Sequence, residues 1–155
     1  MRIQVVGIGT DRGDDAAGLR VAERLAGRLP PGVGVVACRR PGPDLATALD
    51  GVDAAVLVVA VRSGAPPGRV QRIAPEQLPE ARAWSSHGLG LVEGLALARA
   101  LGRAPARLAI VGIEGRRADG DARSREVERG VDRACACVLG IVGELRGEHV
   151  APGGG

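Results

Sequence analysis

Few residues in this chain are equipped for chemistry. Asp14 and Asp15 stand side by side after a glycine-flanked turn, His87 follows two serines, and the other histidine is His149, near the C-terminus. Adjacent carboxylates at a helix start have a structural use, because an acid there satisfies orphan amides and suits the helix dipole. They also permit a division of labour, one capping the helix and one facing a crevice. A histidine at a helix N-terminus has its cationic form disfavoured by the dipole, and neutral imidazole is the form that binds a metal. The plainer alternative for His87 is a loop histidine held by hydrogen bonds.

Other chemistries fit less well. Gly7-Ile8-Gly9 after an apolar run invites a dinucleotide fingerprint, but Arg12 occupies the third glycine position. Asp14 and Asp15 would then repel a pyrophosphate at the helix start. Cys38, Cys135 and Cys137 show no CxxC spacing. Cys135 and Cys137 lie roughly 200° apart around a helix and cannot easily share a metal. All three read as buried reduced thiols, as in a cytoplasmic protein. No Ser–His–Asp or Cys–His nucleophile set is offered.

The elements that must position these groups follow from apolar periodicity. Residues 2–8 predict a strand, and a helix runs from about Asp14 to Leu29 on the stripe Ala17, Val21, Leu25 and Leu29, stopped by Pro30-Pro31. Val33 to Cys38 is a second strand, followed by a short helix around Asp44 to Leu49. The uninterrupted run Ala54 to Val61 predicts a strand covered on both faces. Arg69 to Ile73 reads as a short edge strand and residues 74–83 as exposed loop. Ser85-Ser86 can cap a largely buried helix reaching about Leu101, and Leu108 to Ile113 is a further strand. Ser124 caps a last helix with the stripe Val127, Val131, Cys135, Val138, Val142 and Leu145.

This alternation predicts an α/β, doubly wound three-layer sandwich, a mostly parallel sheet with helices on both faces. One domain is expected over residues 1–146, with 147–155 a disordered tail. In such sheets the ligand crevice lies beyond the carboxyl ends of the strands. The Gly9–Asp15 loop, the loop after Ala54–Val61 and the helix start at Ser86-His87 should meet there.

Composition narrows the function further. The chain has 155 residues, 45% hydrophobic and 25% charged, the profile of an ordinary globule. No apolar run reaches spanning length and Met1 opens directly into strand, so neither membrane insertion nor a secretory signal is expected. Trp84 is the sole aromatic residue, which argues against base-stacking modules. The net charge of +3 comes from arginines scattered among carboxylates, not from a stripe, so no nucleic-acid partner is expected.

Taken together, the blocks VVGIGTDRGDDAAGLRVAERL, VLVVAVRSGAPPGRV, SSHGLGLVEGLALARALG and AIVGIEG resemble the hydrogenase maturation endopeptidases. This family trims the C-terminus of nickel–iron hydrogenase large subunits. The resemblance extends over most of residues 1–146 and implies a five-stranded sheet. It also implies a large-subunit precursor as partner and nickel carried by that substrate as the checkpoint before cutting. The family's metal ligands are the second acid after strand one, an acid ending the third strand, and the histidine of the SHGL-like block. Carried over, they make Asp15 and His87 the catalytic and metal-contacting residues. Asp14 would cap the following helix and orient the loop.

Val59 stands where the family carries its strand-end aspartate, and its neighbours Val58 and Ala60 are apolar too. Valine coordinates no metal. Two readings follow: an endopeptidase reading nickel through the remaining ligands, or a catalytically weak or silent homologue that binds the precursor as a chaperone-like module. Asp11 is the one nearby acid that could replace the missing ligand. If the resemblance holds, Asp15 and His87 should face one crevice with Val59 on its wall.

Overall fold

The computed structural model describes residues 1–77, 88–116 and 124–147. Its centre is β3 (Ala54–Val61), whose eight consecutive apolar residues are all buried. β3 runs parallel between β1 (Ile3–Ile8) and β5 (Arg107–Glu114). β2 (Val33–Cys38) lies parallel outside β1, and β4 (Val70–Ile73) pairs antiparallel with β5. The five-stranded order is therefore β2-β1-β3-β5-β4. This is the expected α/β sandwich with a mostly parallel sheet.

Side chains alternate across the sheet and divide the core in two. Ala54, Val56, Val58 and Ala60 face the layer of α1 (Ala17–Leu25) and α4 (Arg125–Leu145). Ala55, Leu57, Val59 and Val61 face the layer of α2 (Pro41–Ala48) and α3 (Gly88–Ala100). Across the first layer, Arg20 and Arg24 of α1 both reach Glu128 of α4, at 3.2 and 2.8 Å.

Several boundaries differ from the sequence reading, each for a local reason. α1 ends at Leu25, not Leu29, because Gly27 adopts φ +79° and turns the chain before Pro30. The Asp14–Asp15 segment is a separate 3-10 turn, Gly13–Ala16, with no side-chain cap at its start. Asp14 therefore does not cap α1 as expected. α2 begins earlier, at Pro41, whose fixed φ suits the first turn of a helix. β5 runs one residue further than expected at each end, and its last residue is Glu114.

The last helix follows its stripe closely. Ser124 Oγ accepts from the Val127 amide at 3.3 Å, the predicted cap, and Val127, Val131, Val138, Val142 and Leu145 are buried. Cys135 is half-buried. All three cysteines are free thiols, and burial is the main cause raising their pKa values. Among the described residues no helix is long and apolar enough to cross a membrane. Trp84, the Ser85-Ser86 cap and residues 148–155 of the expected 147–155 tail lie outside the described residues, whereas Gly147 is held by its amide on the Glu144 carbonyl at 3.0 Å.

Close approach of α1 to the sheet fixes the position of the turn before it. A Cβ on Gly18 would collide with the carbonyl oxygens of Ile8 and Val58, and one on Gly7 with the Gly18 carbonyl. Gly18→Ala should therefore push α1 off β1 and cost about 1–3 kcal/mol. Thermal unfolding would read this as a clear fall in Tm. An unchanged Tm would mean that the helix can shift without loss.

Candidate functional site

The sheet order places a topological switch point between β1 and β3. After β1 the chain turns to the α1 layer, whereas after β3 it moves toward β4 and the α3 layer. Connections that part to opposite faces leave a crevice at the carboxyl ends of the strands. The 3-10 turn carrying Asp14 and Asp15 leaves β1 there, and Arg62-Ser63 leaves β3.

Asp15 is partly exposed, its side chain 21% accessible. Its Oδ1 accepts a hydrogen bond from Arg62 Nη1 at 2.7 Å, and the two form an ion pair. Arg62 also donates from Nε to the carbonyl of Arg116 at 3.2 Å. One guanidinium thus ties together the segments after β1, β3 and β5. Backbone bonds hold the turn in shape, from Thr10 N to the Asp15 carbonyl at 3.2 Å and from Asp15 N to the Arg12 carbonyl at 3.0 Å.

Asp14 points elsewhere and is 3% exposed. Its oxygens accept from the Arg116 amide at 2.9 Å, the Ser124 amide at 3.0 Å and the Ser124 hydroxyl at 3.1–3.2 Å. The acid expected to cap its own helix instead braces the cap of α4, more than a hundred residues away. Gly115 makes room for this arrangement, since a Cβ there would lie 3.3 Å from Asp14 Cβ and 3.7 Å from Arg62 Cζ.

A third carboxylate sits on the same strand ends. Glu114 is 2% exposed and accepts from the Ser63 amide at 2.9 and 3.2 Å and from the Ser63 hydroxyl at 2.5 Å. These bonds clamp the start of the β3–β4 loop to the end of β5. Sequence reasoning missed Arg62, Glu114 and the partnership of Asp14 with Ser124. The available signal was a charged residue directly abutting each of two apolar strands, Arg62 after Val61 and Glu114 after Ile113.

Val59 is 4% exposed and packs in the core layer that contains Leu91 and Leu95 of α3. It is the register partner of Ile8, the last residue of β1, so it sits near the strand end where Asp15 follows. His87 immediately precedes α3 in sequence but lies outside the described residues, so the expected meeting of Asp15 and His87 lies outside them too. Asp11, the nearby acid, is turned to solvent and to Arg39. Its side chain is 74% accessible and pairs with Arg39 at 3.2 Å. Among the described residues no three His, Cys, Asp or Glu side chains form a metal-ready cluster.

The sequence model of the hydrogenase maturation protease family matches residues 19–141. That span contains Val59, Arg62 and His87 and begins four residues after Asp15. The structure is similar to the hydrogenase maturating endopeptidase HybD of E. coli, with a TM-score of 0.82 and 28% identity over 93% of each chain. It is also similar to the [NiFe] hydrogenase maturation protease HybD of Thermococcus kodakarensis, with a TM-score of 0.76 and 28% identity over 91% of this chain and 99% of that one. The endopeptidase HycI of Escherichia coli, at 19% identity over 92% of each chain and a TM-score of 0.71, shares the fold. No curated protein sequence matches the chain.

Proposed function

Because the chain belongs to the hydrogenase maturation protease family, we propose that it is an endopeptidase removing the C-terminal extension of a nickel–iron hydrogenase large-subunit precursor after nickel insertion. The observation that carries this reading is the place of Asp15. The second acid of the pair lies at the switch point of the sheet, partly exposed, while its neighbour Asp14 is consumed by structure. In this reading the nickel belongs to the substrate. Bound metal can orient and polarise an adjacent peptide carbonyl. Asp15 and His87 would contact that ion and fix the precursor against the strand ends. A carboxylate and an imidazole suit a borderline divalent ion such as nickel.

The second reading is a binder that holds the precursor without cutting it. Val59 favours it, because position 59 offers a metal no side-chain oxygen, and so does the engagement of Asp15 by Arg62. Incubation with a nickel-loaded precursor, followed by mass measurement, separates the two. Loss of a C-terminal peptide that requires Asp15, and disappears in Asp15→Asn, is the expected result. A stable complex of unchanged mass would establish the binder, and neither cleavage nor complex would end both readings.

A further inference from the structure

Three carboxylates surround the strand ends, and they are satisfied in different ways. Asp14 is met by the Arg116 and Ser124 amides and the Ser124 hydroxyl. Glu114 is met by the amide and hydroxyl of Ser63. Backbone amides are fixed in place and carry no net charge. Asp15, in contrast, is engaged by a full side-chain cation, Arg62, on a flexible stem that is itself 28% accessible. At position 59 there is valine, and among the described residues Asp15 is the carboxylate that pairs with that guanidinium.

We propose that Arg62 is the built-in counter-ion of Asp15: it neutralises the carboxylate in the resting protein, and a divalent cation reaches Asp15 only against or in place of that guanidinium. The inference rests on the reading of Asp15 as the group offered to nickel and adds how access to it is controlled. Arg62 acts here as a positioning residue. Its Nε bond to the Arg116 carbonyl anchors one edge of the guanidinium, which holds Nη1 on Asp15 Oδ1. A dication within about 5 Å of a fixed positive charge is repelled even with the screening of bulk water, by enough to weaken binding at least tenfold. An arginine-paired carboxylate of this kind selects for cations that arrive already held by other ligands, as in a metal-loaded precursor, over free ions.

The test is isothermal titration of the purified protein with nickel(II) alone. Arg62→Gln keeps a hydrogen-bonding side chain but removes the charge, and should bind nickel at least about tenfold more tightly than the parent protein. Arg62→Lys keeps the charge and should bind like the parent. Adding Asp15→Asn to Arg62→Gln should abolish the gain. Far-UV circular dichroism and Tm establish that each variant is folded. If Arg62→Gln gains nothing, or no variant binds nickel, Arg62 does not oppose a cation and the proposal fails. If Arg62→Gln gains affinity and Asp15→Asn leaves that gain intact, the cation binds elsewhere, which overturns the proposal together with the role of Asp15. Precursor cleavage by Arg62→Gln, measured separately, reports on the proteolytic reading independently of nickel affinity.

Discussion

Val59→Asp should raise the rate of cleavage of a nickel-loaded precursor by roughly 10- to 100-fold, the range by which even an indirect partner of a metal ligand changes metal affinity. The same substitution should destabilise the protein in the absence of metal. Val59 is 4% exposed within the α2–α3 layer of the core, so a carboxylate there loses its hydration and finds apolar neighbours. A cost of about 2–4 kcal/mol is expected, or roughly 5–10 °C in Tm for a chain of this length. The two effects have opposite signs, which makes the experiment decisive. Nickel or cadmium should restore part of the lost Tm in Val59→Asp and do less for the parent. Equal cleavage rates and equal metal response in the two proteins would show that position 59 lies outside the site.

Asp14→Ala should produce the largest loss of stability among single changes at the strand ends. One buried carboxylate accepts from the Arg116 amide, the Ser124 amide and the Ser124 hydroxyl, and alanine leaves all three donors without it. Hydrogen bonds to charged groups contribute about 1.5–3 kcal/mol each, and their losses within one network are not additive. A net cost of about 3–5 kcal/mol is expected, lowering Tm by roughly 10 °C. Hydrogen exchange should quicken selectively at the Arg116 and Ser124 amides. Asp14→Asn should fall between, because its amide nitrogen presents a donor where two amides also donate. A Tm within two or three degrees of the parent for Asp14→Ala would show that the network is dispensable, an outcome the burial of Asp14 argues against.

These two acids are adjacent in sequence and differ in every respect that matters. Their place after the first strand marked the pair, and the family resemblance of the surrounding block singled out Asp15. The structure puts it at the switch point where a ligand crevice is expected. The spacing alone could not assign Asp14 its role. A carboxylate at a helix start has a local use, the cap, and only the folded chain reveals the competing use in bracing Ser124.

Local pattern was enough for the strands and for α4. An eight-residue apolar run is buried wherever a sheet is covered on both faces, and a stripe repeating every three or four residues must turn toward the core. Helix ends were less legible, because Gly27 at a positive φ stops α1 before the prolines to which the sequence pattern assigns its end. The bonds that build the site were not legible at all. Asp15 meets Arg62 across 47 positions, Ser63 meets Glu114 across 51, and Asp14 meets Arg116 and Ser124 across 102 and 110. In the parallel sheet β1, β3 and β5 are neighbours although other elements separate them in the chain. The amino-acid sequence by itself determined which residues carry charge at the strand ends and which face of each element is apolar, since both depend on local composition and period. Only the tertiary structure decided which charge meets which, because that depends on the order of strands in space, and sequence separation carries no record of it.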